Sequence, residues 1–385
     1  MIINSMISSS GGGGSDADYE AFIARSTNTP TLPSGLTSIG KYAFYEWDSM
    51  TSLTLPDGLT SIGNKAFYDC VLLNLTSLPS GLTSVGNYAF YNCNQLTLTS
   101  LPSGLSSIGS YAFAMCYNIA LTSLPSGLTS IEEGAFGSCL KIALTSLPSG
   151  LTSIGSQAFF GCELLALTSL PSGLTSIGSS AFQNCANLAL TSLPSGVTVI
   201  NSNAFQNCAN LAITSLPSGV TSIGSNAFAS CVSIQSITCN GIITTLSSGA
   251  FNGSSGHVMQ LATVSLPNME ISSLGTVFGY SYMASYACQN LETADIGKTK
   301  AIAANAFANC YKLQTLVLRK TGSICTLANV SAFANTPMRG YNSLTGTVYV
   351  PNALISTYQT ATNWKTLYDA GTVTFSAIEG SAYEL

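Results

Sequence analysis

The apolar residues of this chain recur at one long, fixed step. An Ala-Phe pair places its phenylalanine at Phe44, Phe67, Phe90, Phe113, Phe136, Phe159, Phe182, Phe205, Phe228 and Phe251, each 23 residues after the last. A Leu-Pro pair keeps the same step, with prolines at Pro33, Pro56, Pro79 and onward to Pro217. One unit reads, from Cys185, CANLALTSLPSGVTVINSNAFQN. So short a unit cannot bury its own apolar face, and successive units must therefore stack around a shared interior. Within it, Leu188, Leu190 and Leu193 predict an extended strand over residues 188–193 facing the core. Pro194 ends ladder pairing because it has no N–H to donate, and Ser195-Gly196 supplies a turn. Val197 and Ile200 predict a second short extended stretch, and Ala204-Phe205 closes the coil with a large apolar plug. About thirteen coils, rising by roughly 4.8 Å each, predict a curved right-handed rod on the order of 60 Å long with capped ends.

The same pattern divides the chain. Residues 1–15 are expected to be a flexible segment with a Gly-rich linker at 11–14. Residues 16–30, with Tyr19, Phe22 and Ile23 on one helical face, predict an N-terminal helical cap. Regular units fill 31–256. Degenerate copies follow over 257–346, marked by Leu266-Pro267 with Phe278, by Cys288 with Phe307 and by Cys310 with Phe333, and interrupted by an insertion at 279–287. The last part, 347–385, predicts a final strand at 348–350 and a helical cap over 352–368. In that cap Leu354, Ile355, Tyr358, Ala361, Trp364 and Leu367 fall at helical spacing.

The run C-x-x-L, then L/I-P, then I-G, then A-F resembles the BspA-like leucine-rich repeats of bacterial and protozoan surface proteins, over roughly residues 31–368. The ending VYVPNALISTYQTATNW resembles the cap that closes many such arrays, and the opening DYEAFIARST is similar to short arrays in phage and prophage proteins of gut bacteria. The resemblance implies a repeat solenoid of short strands and loops. It also implies cell-surface adhesion, host-protein binding or co-aggregation, and no catalysis. One departure stands out. The usual strand reads L-x-x-I-x-I-P, as in Cys231-Val-Ser-Ile234-Gln-Ser-Ile237, whereas the middle copies read L-A-L-T-S-L-P. Thr76, Thr99, Thr122, Thr145, Thr168, Thr191 and Thr214 then hold the second apolar position. Either the strand bulges there or the threonines face outward.

Composition narrows the function. Charged residues make up 7% of the chain against 46% hydrophobic, with a net charge of -5 and 11 scattered basic residues. No basic face is available to neutralise phosphates, so nucleic acid is not an expected partner. No apolar run reaches the roughly 18 residues of a membrane-spanning helix, so membrane insertion is not expected. Residues 1–10 lack a basic n-region and a full apolar core, so they do not read as a secretory signal. An extracellular, cell-surface or virion location therefore stands beside a cytoplasmic one.

Candidate chemistry is sparse. Cys70, Cys93, Cys116, Cys139, Cys162, Cys185, Cys208 and Cys231 share one repeat position. Stacking holds equivalent Cβ atoms near ~4.8 Å, beyond the roughly 3.5–4.5 Å of a disulfide. No C-x-x-C spacing suggests zinc, so the column reads as buried thiols, with Trp47 in the same place in the first copy. His257 is the single histidine and stands in GSSGH without a nucleophile motif; a solvated loop residue is the simpler reading. Glu132 and Glu133 are adjacent on one repeat and read as a solvated turn. The Thr and Ser columns could order water or pair with a repetitive ligand, or simply serve strand propensity and solubility. No catalytic residue, metal site or cofactor is expected.

Tyrosines are more informative. Two residues before the phenylalanine stand Tyr42, Tyr88 and Tyr111, and one residue after it stand Tyr45, Tyr68 and Tyr91. Later copies place Gln157, Ser180, Asn203, Gln183 and Gln206 there, so the fold does not require the aromatics. They predict either a recognition ridge over the first four coils or tyrosines packed together without a ligand. Substituting Gln at Tyr45, Tyr68 and Tyr91 is expected to leave melting nearly unchanged and to weaken binding. Tyr280, Tyr282 and Tyr286 in the insertion form a second candidate patch. The leading expectation is a monomeric, non-enzymatic adhesion or recognition protein whose ligand is a protein or glycan on a host or neighbouring cell. A phage tail or virion component and an intracellular protein-interaction scaffold are the alternatives.

Overall fold

A computed structural model of the protein describes residues 28–32, 34–254, 257–279 and 287–384. The expected flexible segment 1–15, most of the expected N-terminal cap, Pro33 and nearly all of the expected insertion lie outside the described residues. The chain forms two compact units, one ending at Leu188 and one beginning at Ala189. Each is a parallel β-solenoid in which one sequence repeat makes one coil.

In the first unit the ladder strands are only two residues long. They are β1 (Ser38–Ile39), β2 (Ser61–Ile62), β3 (Ser84–Val85), β4 (Ser107–Ile108), β5 (Ser130–Ile131), β6 (Ser153–Ile154) and β7 (Ser176–Ile177). Equivalent residues pair in parallel, Ser38 with Ser61 and Ile39 with Ile62, so the sequence step is the ladder step. The aliphatic residue points into the core and the serine outward, as a period of two requires. A glycine follows the strand because coils touch there: a Cβ on Gly63 would lie 2.7 Å from the Lys41 amide nitrogen. The unit has two sheets, β1-β2-β3-β4 and β5-β6-β7. The ladder breaks between β4 and β5, where Glu132 stands in place of that glycine.

Opposite the ladder, each coil folds through consecutive tight turns around Ala-Phe. In the second coil the N–H groups of Ala66, Tyr68 and Cys70 donate to carbonyls three residues back, at Gly63, Lys65 and Phe67. Those of Lys65, Phe67 and Asp69 reach the next coil, at Asn87, Ala89 and Tyr91. Every donor is thereby used without a helix or strand. The geometry requires two left-handed residues per coil, flanking the pair: Lys65 (φ 54) and Asp69 (φ 57) here. The phenylalanines stack face to face at 4.9–5.8 Å between centroids from Phe44 to Phe182. In the second unit the stack from Phe205 to Phe333 keeps 5.5–5.7 Å.

The cysteines are buried and free, and they do more than fill space. In the first unit the column thiols from Cys70 to Cys185 each donate to a phenylalanine carbonyl of the preceding coil, as Cys93 does to Phe67 and Cys139 to Phe113, both at 3.0 Å. The column therefore satisfies one carbonyl acceptor for each of these coils. Burial raises the thiol pKa values, that of Cys162 to about 12, which leaves these groups protonated and unreactive.

The strand expected over residues 188–193, and its counterparts, is corrected by the structure. No ladder forms there in the coils before Cys231, and the pairing lies at the second extended stretch, such as β8 (Val199–Ile200). The reason is a lost alternation. Leucines at the third, fifth and eighth positions after the cysteine all point inward, as Leu73, Leu75 and Leu78 do. Two successive residues between the last two must then face out, and a strand cannot supply that. Thr76, Thr99, Thr122, Thr145, Thr168, Thr191 and Thr214 are all exposed, so the outward alternative holds.

The second unit shows the converse. Its first ladder joins β8, β9 (Ser222–Ile223) and β11 (Thr245–Leu246). From Cys231 onward the apolar residues fall at the third, sixth and eighth positions, Ile234, Ile237 and Cys239, and alternation returns. A six-stranded parallel sheet forms at once. It runs β10 (Ser236–Thr238), β12 (Thr263–Ser265), β13 (Thr293–Asp295), β15 (Thr315–Val317), β17 (Gly346–Val350) and β18 (Val373–Ala377), while β14 (Ala301–Ile302) pairs with β16 (Thr326–Leu327). The expected final strand at 348–350 is β17 and is not the last, because β18 follows and pairs with it over five residues. Between them the expected single helix is split at Ala361, which is extended (ψ 134), into α1 (Ile355–Thr360) and α2 (Thr362–Asp369). Trp364 leans on Phe333 at 5.9 Å and donates its indole N–H to the Cys325 carbonyl at 2.8 Å.

Candidate recognition surface

The six tyrosines singled out above all lie in the first unit, half-buried, and the fold brings them into one cluster. Because the rise per coil is close to the centroid separation of two offset-stacked rings, aromatic residues at one repeat position in successive coils stack. Tyr45, Tyr68 and Tyr91 do so at 4.9 Å with planes within 10°. Tyr88 and Tyr111 stack at 5.0 Å. Tyr42 meets Tyr45 edge-on at 5.5 Å, and Tyr88 joins the two columns through Tyr91 at 5.7 Å and Tyr68 at 6.4 Å. Lys65 occupies the gap in the second column, its Nζ 5.4–6.0 Å from the rings of Tyr42, Tyr45, Tyr68 and Tyr88. Lys41 lies over Tyr42 at 4.6 Å. Ring faces are thus largely taken up within the cluster, and edges and hydroxyls are what it offers outward.

The cluster has a built end. Gly134 occupies the position that Tyr111 holds one coil earlier, and a Cβ there would lie 2.3 Å from the Tyr111 ring. The missing side chain lets the ring lie across the coil. Its hydroxyl donates to Glu133 Oε1 at 2.8 Å and lies 3.4 Å from Gln157 Oε1, two coils on. Burial first, then the Glu133 carboxylate, raises the Tyr111 pKa to about 12. Tyr68 is also raised, by burial and then by Asp69. Tyr280, Tyr282 and Tyr286, the second candidate patch, lie outside the described residues.

Beside the cluster runs a groove of about 530 Å³, crossing β1 to β4 and lined by the Ser-Ile-Gly segments and by Lys41, Asn64 and Asn87. Its hydroxyls differ from their neighbours. Thr60 and Thr83 donate to the carbonyls of Thr37 and Thr60 at 3.0 Å, so that column is satisfied internally. Ser38, Ser61, Ser84 and Ser107 make no side-chain hydrogen bond among the described residues. Asn64 and Asn87, both in the lining, accept the Asn87 and Ser110 N–H groups at 2.8 and 2.9 Å through Oδ1, which leaves their NH₂ groups unengaged among the described residues. The groove stops at β5, where Glu132 takes the Ser130 hydroxyl at 2.6 Å. Sequence reasoning missed this feature because serine before isoleucine occurs in nearly every copy. The usable signal was the glycine run Gly40, Gly63, Gly86, Gly109 ending at Glu132.

The remaining candidates are placed as follows. His257 is exposed, with Nδ1 3.4 Å from Ser254 Oγ, which in turn accepts from Ser230 Oγ at 2.8 Å. Glu132 and Glu133 hold Ser130 and Tyr111 and so do not pair as an acid and base. Among the described residues no group of three or more His, Cys, Asp or Glu could hold a metal ion, and no helix is long and apolar enough to cross a membrane.

Coils of this length, with inward leucines, a parallel ladder and a phenylalanine spine, define a leucine-rich-repeat solenoid. The family model for the BspA type Leucine rich repeat region (6 copies) matches residues 16–143, 129–257 and 261–354, and the chain belongs to that family. A leucine-rich repeat protein from Bacteroides ovatus shares the fold at 22% identity with a TM-score of 0.58, over 95% of this chain and 86% of that one. A leucine rich cell surface protein from Faecalibacterium prausnitzii aligns at 25% identity and a TM-score of 0.47, over 84% and 88%. No curated protein matches the sequence.

Proposed function

We propose that this protein is a non-enzymatic recognition protein of the adhesion type, acting at a cell surface and binding a protein or glycan of a host or neighbouring cell. Its contact surface is the tyrosine cluster over the first four coils. One observation carries the reading. Coils five to seven keep the same turn geometry with Gly134, Gln157 and Ser180 at the positive-φ position, so the backbone does not call for the tyrosines of the earlier coils. Tyrosine joins an apolar body to a hydrogen-bonding tip at low entropic cost, which is the chemistry enriched at binding surfaces.

The test is a Tyr45→Gln, Tyr68→Gln, Tyr91→Gln triple variant set against the unaltered protein in quantitative capture of ligand from host or neighbouring cells. Stacking changes the stability expectation made from sequence. Losing two stacked pairs costs about 1–3 kcal/mol, so the melting temperature falls although the fold persists. Binding is expected to drop by about tenfold or more. Equal capture by a folded variant removes the cluster from the site.

A further inference from the structure

We propose that the groove across β1 to β4 binds an unbranched acidic glycan laid along the stacking direction, one sugar to each coil. The inference rests on the recognition reading above and names a ligand class and a second, distinct part of the surface. Its first support is spacing. Successive coils at this end advance by 4.9 to 5.3 Å, measured between stacked phenylalanines from Phe44 to Phe113. That is about the length of one pyranose unit in an extended β-1,4-linked chain, so each sugar meets an equivalent serine, successive sugars presenting alternate edges to it. A peptide strand advances about 3.3 Å per residue, and neither one residue nor two keeps step with the coils.

The second support is chemistry. The lining presents the hydroxyls of Ser38, Ser61, Ser84 and Ser107 and the NH₂ groups of Asn64 and Asn87, none engaged within the described protein. A polyhydroxylated ligand offers matching donors and acceptors at every step, whereas an apolar one would strand them. The third support is charge. Among the described residues of the lining Lys41 is the one charged group, and Glu132 lies beyond the far end. The Lys41 end of the groove therefore favours an anionic sugar over its neutral counterpart.

Titration calorimetry on the full chain tests this with a β-1,4-linked hexamannuronate and with cellohexaose, which share the extended geometry and differ in charge. Saturable binding of hexamannuronate is expected, tighter than cellohexaose by about tenfold at low salt. Ser61→Tyr with Ser84→Tyr fills the groove from its solvent side and is expected to abolish binding. Asn64→Asp with Asn87→Asp keeps the backbone-accepting oxygens and adds repulsion, with an expected loss of about tenfold or more even where the first variant folds poorly. No binding of hexamannuronate at millimolar concentration, equal affinity for both hexamers, or unaltered binding in the Asp variant overturns the assignment. The tyrosine triple variant separates the two readings. Loss of its cellular ligand with no hexamannuronate binding by the unaltered protein leaves the tyrosine surface standing and the groove assignment fallen. Hexamannuronate binding with no effect of the triple variant on capture does the reverse.

Discussion

A left-handed backbone at two places per coil is the most demanding local requirement here, and its occupants differ in how well they meet it. Asparagine tolerates the conformation through its short polar side chain, and Asn203, Asn226 and Asn305 fill it in the second unit. Tyr42, Tyr88 and Tyr111 adopt it at a steric cost offset by stacking. Gly134 is the sharpest case, with φ +58 and the Tyr111 ring where a side chain would go. Gly134→Ala is expected to destabilise the protein by about 1–3 kcal/mol and to disturb Tyr111, read by chemical denaturation and tyrosine fluorescence. Tyr111 also gives a pH signature. Its folded pKa of about 12 exceeds the usual 10.0, so the neutral phenol is favoured in the fold. The associated stability is complete below pH 10 and is lost as pH rises through about 12. Glu133→Gln is expected to lower that pKa while burial keeps it above 10.0, as seen by phenolate absorbance. A Glu133→Gln titration identical to that of the unaltered protein would remove the carboxylate from the account.

At the scale of the element, a single shift in spacing decides between strand and irregular chain. Position six after the cysteine is Thr168 in one coil and Ile237 in another. Thr168 is exposed on unladdered backbone, whereas Ile237 is fully buried in β10, where it pairs with Val264 of β12. Ile237→Thr is expected to cost about 2–4 kcal/mol through a cavity and a buried hydroxyl, while Thr168→Ile stays within about 0.5 kcal/mol, both measured by urea denaturation. Comparable effects at the two sites would show that alternation does not govern the ladder. The leucine spacing and the Thr departure were legible in the sequence. Which stretch would pair was not, because Leu188, Leu190 and Leu193 satisfy the core equally well with or without a strand. The two-residue Ser-Ile ladder is too short to leave an alternating signature, and it pairs because neighbouring coils align it.

For the whole molecule, the step of 23 residues makes each coil interchangeable with its neighbours in register. Removing residues 139–161, one complete coil of the first unit, lets the cysteine and phenylalanine columns close again on equivalent partners. Such a deletion is expected to leave a cooperatively folded protein with the same circular dichroism shape. Removing about half a coil at the same place is expected to abolish folding, since every inward residue is then set against an outward one. Equal tolerance of both deletions would contradict stacking in register. The candidate surface belongs to this scale too. The tyrosines were legible from their repeat positions, because equivalent residues had to meet. The groove was not legible, because it depends on glycines that let coils approach and on which hydroxyls their neighbours leave unengaged.

The repeat alone determined that this chain stacks into coils, which residues share a column, and that phenylalanine and cysteine lie inside, since periodicity and apolarity leave no other way to bury them. Only the tertiary structure decided where ladders form, that the thiols donate to carbonyls of the preceding coil, and that Tyr111 lies across Gly134 onto Glu133. These depend on ångström-scale distances between neighbouring coils, set by the packing of side chains far apart in sequence.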